Sequence, residues 1–491
     1  MDIPFSCSLR GGNVLPPASA LEKARAELIK QLSDGGLGEQ ATEDLVRDSV
    51  CPGLSGSSQT PNYYGFVTGG ATPVAKFADN VVTAYDQNVQ VHLPHESIAT
   101  DVEDAATGLL CQLLRLEPDE FNHRILTTGA TASNILGLAC GRQWVLQEAA
   151  RRGGLIERDV ASLCDVGKAG VAKAMRFANV DEVQILTTVP HSSLSKAASV
   201  VGLGRDAVKL LGRADAPHRF DIEALQRELS GSRAASIVAV SCSEVNTGLF
   251  ATTGEEMKTI RELCDKYGAW IHVDGAFGIM ARCLDPSDEY STILEGCANM
   301  ELADSITGDG HKLLNVPYDC GFFFSKHPTV AFAVFQNAGA AYLSTGPSEG
   351  QTILSPLNHG LENSRRFRAL PVYANLVAYG RAGYQDMLRR QIALSRRIAA
   401  FVREHDGFEL LPAGLKEGET FMIVLFRAVD AKLNVELVKR INATSKVYVS
   451  GTSWDGAPAC RFAVSNWQVD VERDMGIIAG VLDQVWQQRA G

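Results

Sequence analysis

No stretch of this chain is apolar for long enough to span a bilayer. Its first residues, MDIPFSCSLRGGNVLPPAS, carry neither a basic segment followed by an apolar one nor an Arg-rich amphipathic pattern, so a cytoplasmic protein with no membrane partner is expected. Positive charge is scarce relative to negative. With 46 Lys and Arg against 57 Asp and Glu the formal net charge is −11, which disfavours nucleic acid or an anionic surface as a partner but leaves room for a local basic pocket. The eleven cysteines include no CxxC pair and no metal-ligand spacing. Odd in number and scattered singly, as at Cys7, Cys51, Cys111, Cys242 and Cys320, they read as reduced, buried thiols of a cytosolic protein, with no metal site. What remains, 45% hydrophobic and 21% charged residues over 491 positions, is the make-up of a soluble globular protein. That length exceeds one ordinary core, so two or more domains, or a large α/β domain with appendages, are expected.

Residues 1–18, with Gly11-Gly12 and Pro16-Pro17, read as an irregular arm. Ser19 and Glu22 have the spacing of a capping box, and Leu21, Ala24, Leu28 and Leu32 recur at helical period up to Gly35-Gly36, which predicts a helix over 20–32. Its apolar stripe has nothing obvious in its own chain to cover it and points to an interface with a second copy. A second helix is expected over 39–50, before Pro52, Gly53, Gly56 and Pro61 break the chain. NYYGFVTGGATP at 62–73 is loop-like and suits a binding wall or a packing one equally. Residues 74–116 return to helix, with a break near Pro94. Beyond them, short apolar strands near 125–127, 183–187, 236–240, 269–273 and 321–325 alternate with helices, the pattern of a mostly parallel sheet covered on both faces.

Polar residues of chemical interest stand at the ends of these strands. TTGATASN at 127–134 opens a helix whose first backbone N–H groups and hydroxyls make an anion site suited to a phosphate; a simple turn at Gly129 with Thr131 or Ser133 as cap fits the same letters. IHVDGAFG places Asp274 at a strand's carboxyl end, where open α/β sheets bind ligands, or as a helix N-cap. PHSSLSKAA sets His191 just past a strand, ready to stack on a flat ring, to bind an anion, or to be an ordinary loop histidine. In DSITGDGHKLLNVPYDCGFFF, 304–324, Lys312 is flanked by small, apolar and turn-forming residues. A His-Lys pair alone more often marks a surface or capping lysine. Held in a pocket, though, an ε-amine loses proton affinity and can form a Schiff base with an aldehyde, for which pyridoxal phosphate is the obvious candidate. In such an enzyme Asp274 would pair with the ring nitrogen and keep it protonated.

Taken in order, TGATASN, HSSLSKA, HVDGAFG and DGHKLLNVPYDCG resemble the group II pyridoxal-phosphate-dependent amino-acid decarboxylases, the family of aromatic-L-amino-acid, tyrosine and glutamate decarboxylases. FVTGGATP, VNTG at 245–248, ENSRRFRALPVYANL at 362–376 and CRFAVSNW at 460–467 resemble its microbial members in particular. The resemblance implies an α/β, fold type I transferase, aspartate aminotransferase-like, working as a homodimer. It divides the chain into an N-terminal helical arm and substrate-pocket segment (1–85), a large cofactor domain with a mostly parallel seven-stranded sheet (86–372) and a small C-terminal α/β domain (373–491).

Carried over by position, it makes Lys312 the Schiff-base lysine, Asp274 the partner of the ring nitrogen and His191 the residue stacked on the ring. Ala130, Thr131 and His311 would hold the phosphate, with Asp309 and Thr247 or Asn246 nearby and Ala276 against the opposite ring face. Phe66 and Thr68 fall in the substrate segment. Tyr342, in an Ala-, Gly- and Ser-rich stretch with the composition of a closing loop, would protonate the substrate carbon; phenylalanine there is typical of aldehyde-forming relatives. Some positions depart from the family: Leu313 stands where many relatives have tryptophan, Gly275 and Phe277 replace alanine and tyrosine, and Gly65 occupies a position that is aromatic in animal aromatic decarboxylases. The implied reaction is decarboxylation of an L-amino acid, expected to be aromatic, to the amine and CO2 through an external aldimine and a quinonoid. Its alternatives are oxygen-dependent conversion to an aldehyde, another lyase reaction, or an inert binding or regulatory protein of this fold, against which the intact Lys312, Asp274 and His191 stand.

Overall fold

The computed structural model describes residues 14–231, 233–337 and 353–490. It forms two compact units, one of residues 71–389 with 416–421 and the other of residues up to 70, 390–415 and 422 onward. The sequence reading sets its boundaries at 85/86 and 372/373 instead.

The larger unit is built on seven strands: β1 (His123–Thr127), β2 (Glu182–Thr187), β3 (Val208–Leu210), β4 (Ala234–Ser241), β5 (Trp270–Asp274), β6 (Ser305–Asp309) and β7 (Gly321–Ser325). They pair in the order β1-β7-β6-β5-β4-β2-β3. Every pair from β3 through β6 is parallel, whereas β7 runs antiparallel to both β6 and β1. The carboxyl ends of β1, β4, β5 and β6 therefore share one edge. In register, Ser241 lies opposite Asp274, Asp274 opposite Thr307, and Asp309 and Thr127 each opposite Gly321. This is the mostly parallel α/β sheet that the alternation of strands and helices predicts, with the seven strands that the family resemblance implies.

Two strands escape the sequence reading. β3 is a three-residue strand at the end of the sheet order, and β6, SITGD, looks like a turn although all five residues are buried. Gly308 in β6 is a packing requirement rather than a turn, since a Cβ there would lie 2.2 Å from the Phe322 ring on the neighbouring strand.

Against the sheet lies a long helix, α2 (Ala130–Arg152), preceded in the chain by α1 (Ala99–Leu113). α2 buries Leu136, Leu138, Ala139, Cys140, Val145 and Leu146, and Arg151 and Arg152 in its last turn complement its dipole. Gly137 lets it approach β5, because a Cβ at that position would fall 2.3 Å from the His272 ring.

A buried ion pair clamps the segment that leads into the site. Arg365 donates from both terminal nitrogens to Glu103 of α1 (2.8 and 2.7 Å) and to the Leu126 carbonyl (2.9 Å), while the Leu126 N–H donates to Glu103 (3.2 Å). Removing one charge from such a pair leaves the other buried and unmatched, so Arg365→Met is expected to destabilise the protein by about 3–5 kcal/mol. Adding Glu103→Leu should recover much of that loss, as read from urea unfolding midpoints. A double variant no more stable than Arg365→Met would show that the backbone contacts dominate.

The smaller unit carries an antiparallel sheet, β8 (Phe408–Leu411), β9 (Ile423–Ala428), β10 (Ser450–Trp454) and β11 (Ala457–Ala463), in the order β10-β11-β9-β8. Its first helix spans Ala18–Glu27, not 20–32. Pro17, with φ −65°, stands at the N-cap without any side-chain capping bond, so Ser19 lies inside the helix and the expected capping box is not formed. Leu28, Ile29 and Leu32 follow in exposed chain. The next helix, Glu39–Leu45, continues through Val50 as a π-helical turn, close to the predicted extent.

In the same unit Tyr63 stacks on Tyr448 at 4.4 Å. A Cβ at Gly65 would lie 2.6 Å from the Tyr448 ring, so a tyrosine far along the sequence fills the space beside this glycine. Phe66 and Val67 both adopt positive φ (60° and 56°); Phe66 is 65% exposed, and the buried Thr68 donates to the Gly65 carbonyl at 3.0 Å.

Candidate active site

Lys312 lies in a short helical turn, Gly310–Leu313, that leaves β6 directly. The N–H groups of Gly310 and His311 both donate to the Cys320 carbonyl (2.9 and 3.1 Å), which ties the turn to the start of β7. The lysine is held in a pocket, its side chain only 17% exposed, with Nζ 5.7 Å from the centre of the Phe277 ring. It is not, however, an isolated amine among apolar groups. Nζ sits 2.8 Å from Oδ2 of Asp309, the last residue of β6, so it forms half of an ion pair with a carboxylate in reach of its proton.

Asp309 also touches the helix start. Its Oδ1 accepts the Ala130 N–H at 2.6 Å and lies 3.6 Å from His311 Nε2. Gly129, the N-cap of α2, offers no side chain to its own helix, and Thr131 stands in the first turn. His311 stacks on Tyr318 at 4.4 Å, and its Nδ1 is buried without a protein partner. Burial lowers the His311 pKa below the ordinary imidazole value, with Asp309 opposing and Lys312 adding to the shift, so the ring is neutral at neutral pH. Gly129 gives the helix no cap of its own and, although Asp309 holds the Ala130 N–H, the start of α2 lies beside an imidazole nitrogen that lacks a protein partner, a setting that suits a phosphate.

On the neighbouring strand, Asp274 accepts from the Ala276 N–H (3.2 Å) and from Asn134 Nδ2 (3.0 Å). The same amide nitrogen reaches Ser193 Oγ at 3.2 Å, and Ser193 Oγ lies 2.8 Å from His191 Nδ1. His191 is the N-cap of the helix Ser192–Val200, accepting the Ser193 N–H, and the residue is exposed. Ala276 is held to the lysine's strand as well, because its carbonyl accepts the Asp309 N–H at 3.1 Å.

Lys312, Asp309, His311, Ala130 and Thr131 thus form one cluster, and Asp274, Ala276 and His191 a second on the adjoining strand ends. Thr247 and Asn246 sit on the loop after β4, where Thr247 binds Glu244 through both its N–H and its hydroxyl and the Asn246 N–H donates to Glu244 at 2.7 Å. The Cys242 N–H of that loop donates to the Asp274 carbonyl at 2.9 Å. Phe66 and Thr68 belong to the smaller unit, described above, and Tyr342 lies outside the described residues.

Sequence reasoning misses Asn134, Ser193, His272, Ser305 and Glu244. For two of them a signal was present: an asparagine heading the apolar run 135–140 and a histidine between Ile271 and Val273 both need a reason to be buried. Among the described residues no group of three or more His, Cys, Asp or Glu side chains is placed to hold a metal ion.

A primary amine, a carboxylate at the next strand end, a helix start with a glycine N-cap and an exposed flat imidazole are what a phosphorylated pyridine aldehyde would require. Comparison with known proteins points the same way. The family model described as the pyridoxal-dependent decarboxylase conserved domain matches residues 39–429. An L-2,4-diaminobutyrate decarboxylase of Acinetobacter baumannii is 28% identical over 320 residues, 65% of this chain and 58% of that protein, so the match spans less than two thirds of its length. Tyrosine decarboxylase 2 of Arabidopsis thaliana is 27% identical over 94% of this chain and 78% of its own length. The crystal structure of an Oryza sativa TDC with PLP and tryptamine superposes with a TM-score of 0.78 at 20% identity, covering 98% of this chain and 94% of that one, and so shares the fold.

Proposed function

The chain belongs to the pyridoxal-dependent decarboxylases, and from that membership we propose that it removes the α-carboxyl group of an L-amino acid, aromatic by preference, to give the amine and CO2. The observation that carries this reading is the meeting of Lys312 and Asp309 with the start of α2, one strand away from Asp274. Lys312 would hold pyridoxal phosphate through its amine once Asp309 has taken the ammonium proton. Gly129, Ala130, Thr131 and His311 would hold the phosphate, with Thr247 or Asn246 nearby. Asp274 would face the ring nitrogen, and His191 and Ala276 would lie against the two ring faces. When bound, the cofactor supplies an electron sink into which the electrons of a broken Cα bond can delocalise. Two N–H donors on Asp274 aim its carboxylate.

Phe66 and Thr68 are proposed to meet the substrate. A screen of amino acids with the amine identified by mass tests the activity, and release of no amine from any of them would reject it. Tyr342 is proposed as the acid that gives its phenolic proton to the substrate carbon, on the strength of the family resemblance and the loop-like composition around it. Tyr342→Phe is then expected to lower amine formation by about 10²–10⁴-fold, the usual share of a general acid, and to release aldehyde, ammonia and peroxide in oxygenated buffer. Unchanged amine formation would take the role from Tyr342.

A homodimer in the cytoplasm is proposed as well. Leu28, Ile29, Leu32, Leu37 and Leu54 are all exposed, more apolar surface than one short segment of a lone chain normally leaves in water. The ten cysteines among the described residues are free thiols, nine of them buried, and no described helix is long and apolar enough to cross a membrane. Sedimentation at micromolar concentration should give a dimer; a fully active monomer would count against it.

A further inference from the structure

Behind Asp274 runs a line of buried polar groups that the proposed reaction does not use. Trp270, His272 and Asp274 are alternate residues of β5 and share one face of the sheet. Trp270 Nε1 lies 3.0 Å from Ser305 Oγ, which is 2.8 Å from His272 Nδ1; His272 Nε2 is 2.9 Å from Asn134 Oδ1, and Asn134 Nδ2 reaches Asp274 and Ser193. Trp270, His272, Ser305 and Asn134 are all fully buried.

The direction of the protons follows from the two ends. Trp270 Nε1 can only donate, and the Asp274 carboxylate can only accept. Asn134 must therefore turn its NH2 to Asp274, which leaves its Oδ1 to accept from His272 Nε2–H. His272 Nδ1 then carries the lone pair and takes the Ser305 hydroxyl proton, while the Ser305 oxygen takes the proton of Trp270. For a neutral imidazole this order satisfies every contact without setting two donors or two acceptors face to face. At the other arm of Asn134, Ser193 Oγ accepts the second amide N–H. The Ser193 backbone N–H points at His191 Nδ1 (3.2 Å), so a neutral His191 carries its proton on Nε2.

We propose that Asn134 is a positioning residue that sets two groups of the site at once: it holds Asp274 as an oriented carboxylate and, by donating to Ser193 Oγ, turns the Ser193 hydroxyl proton toward His191 Nδ1, reinforcing the Nε2–H tautomer that the Ser193 backbone N–H already favours. His272, Ser305 and Trp270 form the buried rail that decides which way Asn134 faces. The use of this arrangement in catalysis rests on the roles proposed above for Asp274 and His191; its proton order does not. Because the rail reaches Asp274 through a neutral amide and not a cation, the full negative charge of the carboxylate is left for a partner in the site.

Solid-state ¹⁵N spectra of histidine-labelled protein, with His191→Gln and His272→Gln used for assignment, read the tautomers without any turnover. His272 should be Nε2–H near neutral pH, as should the neutral form of His191, and His272, whose pKa burial lowers to about 4, should stay neutral well into the acid range. Asn134→Leu, similar in size, should let His272 populate Nδ1–H and shift the His191 signals. It should also cut kcat by about 10- to 100-fold, the usual effect of losing a group that orients a functional ligand, with KM little changed. If that variant does not fold, Asn134→Asp should shift both rings, and Ser305→Ala should shift His272 while leaving His191 in place. An Nδ1–H His272 in the unaltered protein, or histidine spectra indifferent to change at Asn134, overturns the proposal whatever the activity. The expected tautomers in a protein that decarboxylates nothing would keep the proton order and reject the catalytic role.

Discussion

Lys312→Ala should abolish covalent attachment of the cofactor and lower turnover by on the order of 10⁴–10⁶-fold, the range seen when an enzyme loses its nucleophile. In the unaltered protein, borohydride reduction should fix pyridoxal phosphate on the peptide that contains Lys312; cofactor recovered on another lysine would end this assignment. The variant should stay folded. Asp309 retains the Ala130 N–H at 2.6 Å, and the turn Gly310–Leu313 remains pinned to Cys320 through backbone bonds that the side chain does not make. Circular dichroism of the variant therefore separates loss of chemistry from loss of structure.

The second large effect concerns Asp274. Asp274→Asn keeps the size and leaves an oxygen to accept from Asn134 or Ala276, but it removes the charge proposed to hold a proton on the ring nitrogen, without which the electron sink would weaken. Turnover should fall by on the order of 10²–10³-fold, the scale on which a single well-placed electrostatic group acts, with substrate affinity affected far less. Near-normal kcat in a folded Asp274→Asn protein would mean that the ring nitrogen finds its proton elsewhere.

Asp274 was legible in the sequence because a charged residue ends the otherwise apolar run of Trp270, Ile271 and Val273, which is how a strand that delivers a ligand contact into a cleft reads. The start of α2 was legible in the same way, through Gly129 and the hydroxyl residues around it. β6 was not, because Gly308 and Asp309 carry the letters of a turn while their conformation is set by the Phe322 ring and by pairing with β7. The first helix was misjudged at its cap since Ser19 and Glu22 have the right spacing, yet Pro17 already starts the helix two residues earlier. Periodicity cannot give the counterion of Lys312, nor the link from Asn134 to His272 across 138 positions. Such contacts exist only once the strands are laid side by side.

The strand order also has a bearing on when this site can come into being. β1 has one neighbour in the sheet, β7, and the pairing of His123 with Ser325 joins residues about two hundred positions apart. On a ribosome adding roughly 5–20 residues per second, β1 waits roughly 10–40 s for that neighbour, while β2, β4 and β5 can pair in turn as they emerge. The start of α2, proposed to bind the phosphate, hangs from β1, and Lys312 itself precedes β7 by only a few residues. Both halves of the proposed cofactor site therefore reach their places in one late step, and the nascent chain does not complete that site until β7 has left the exit tunnel.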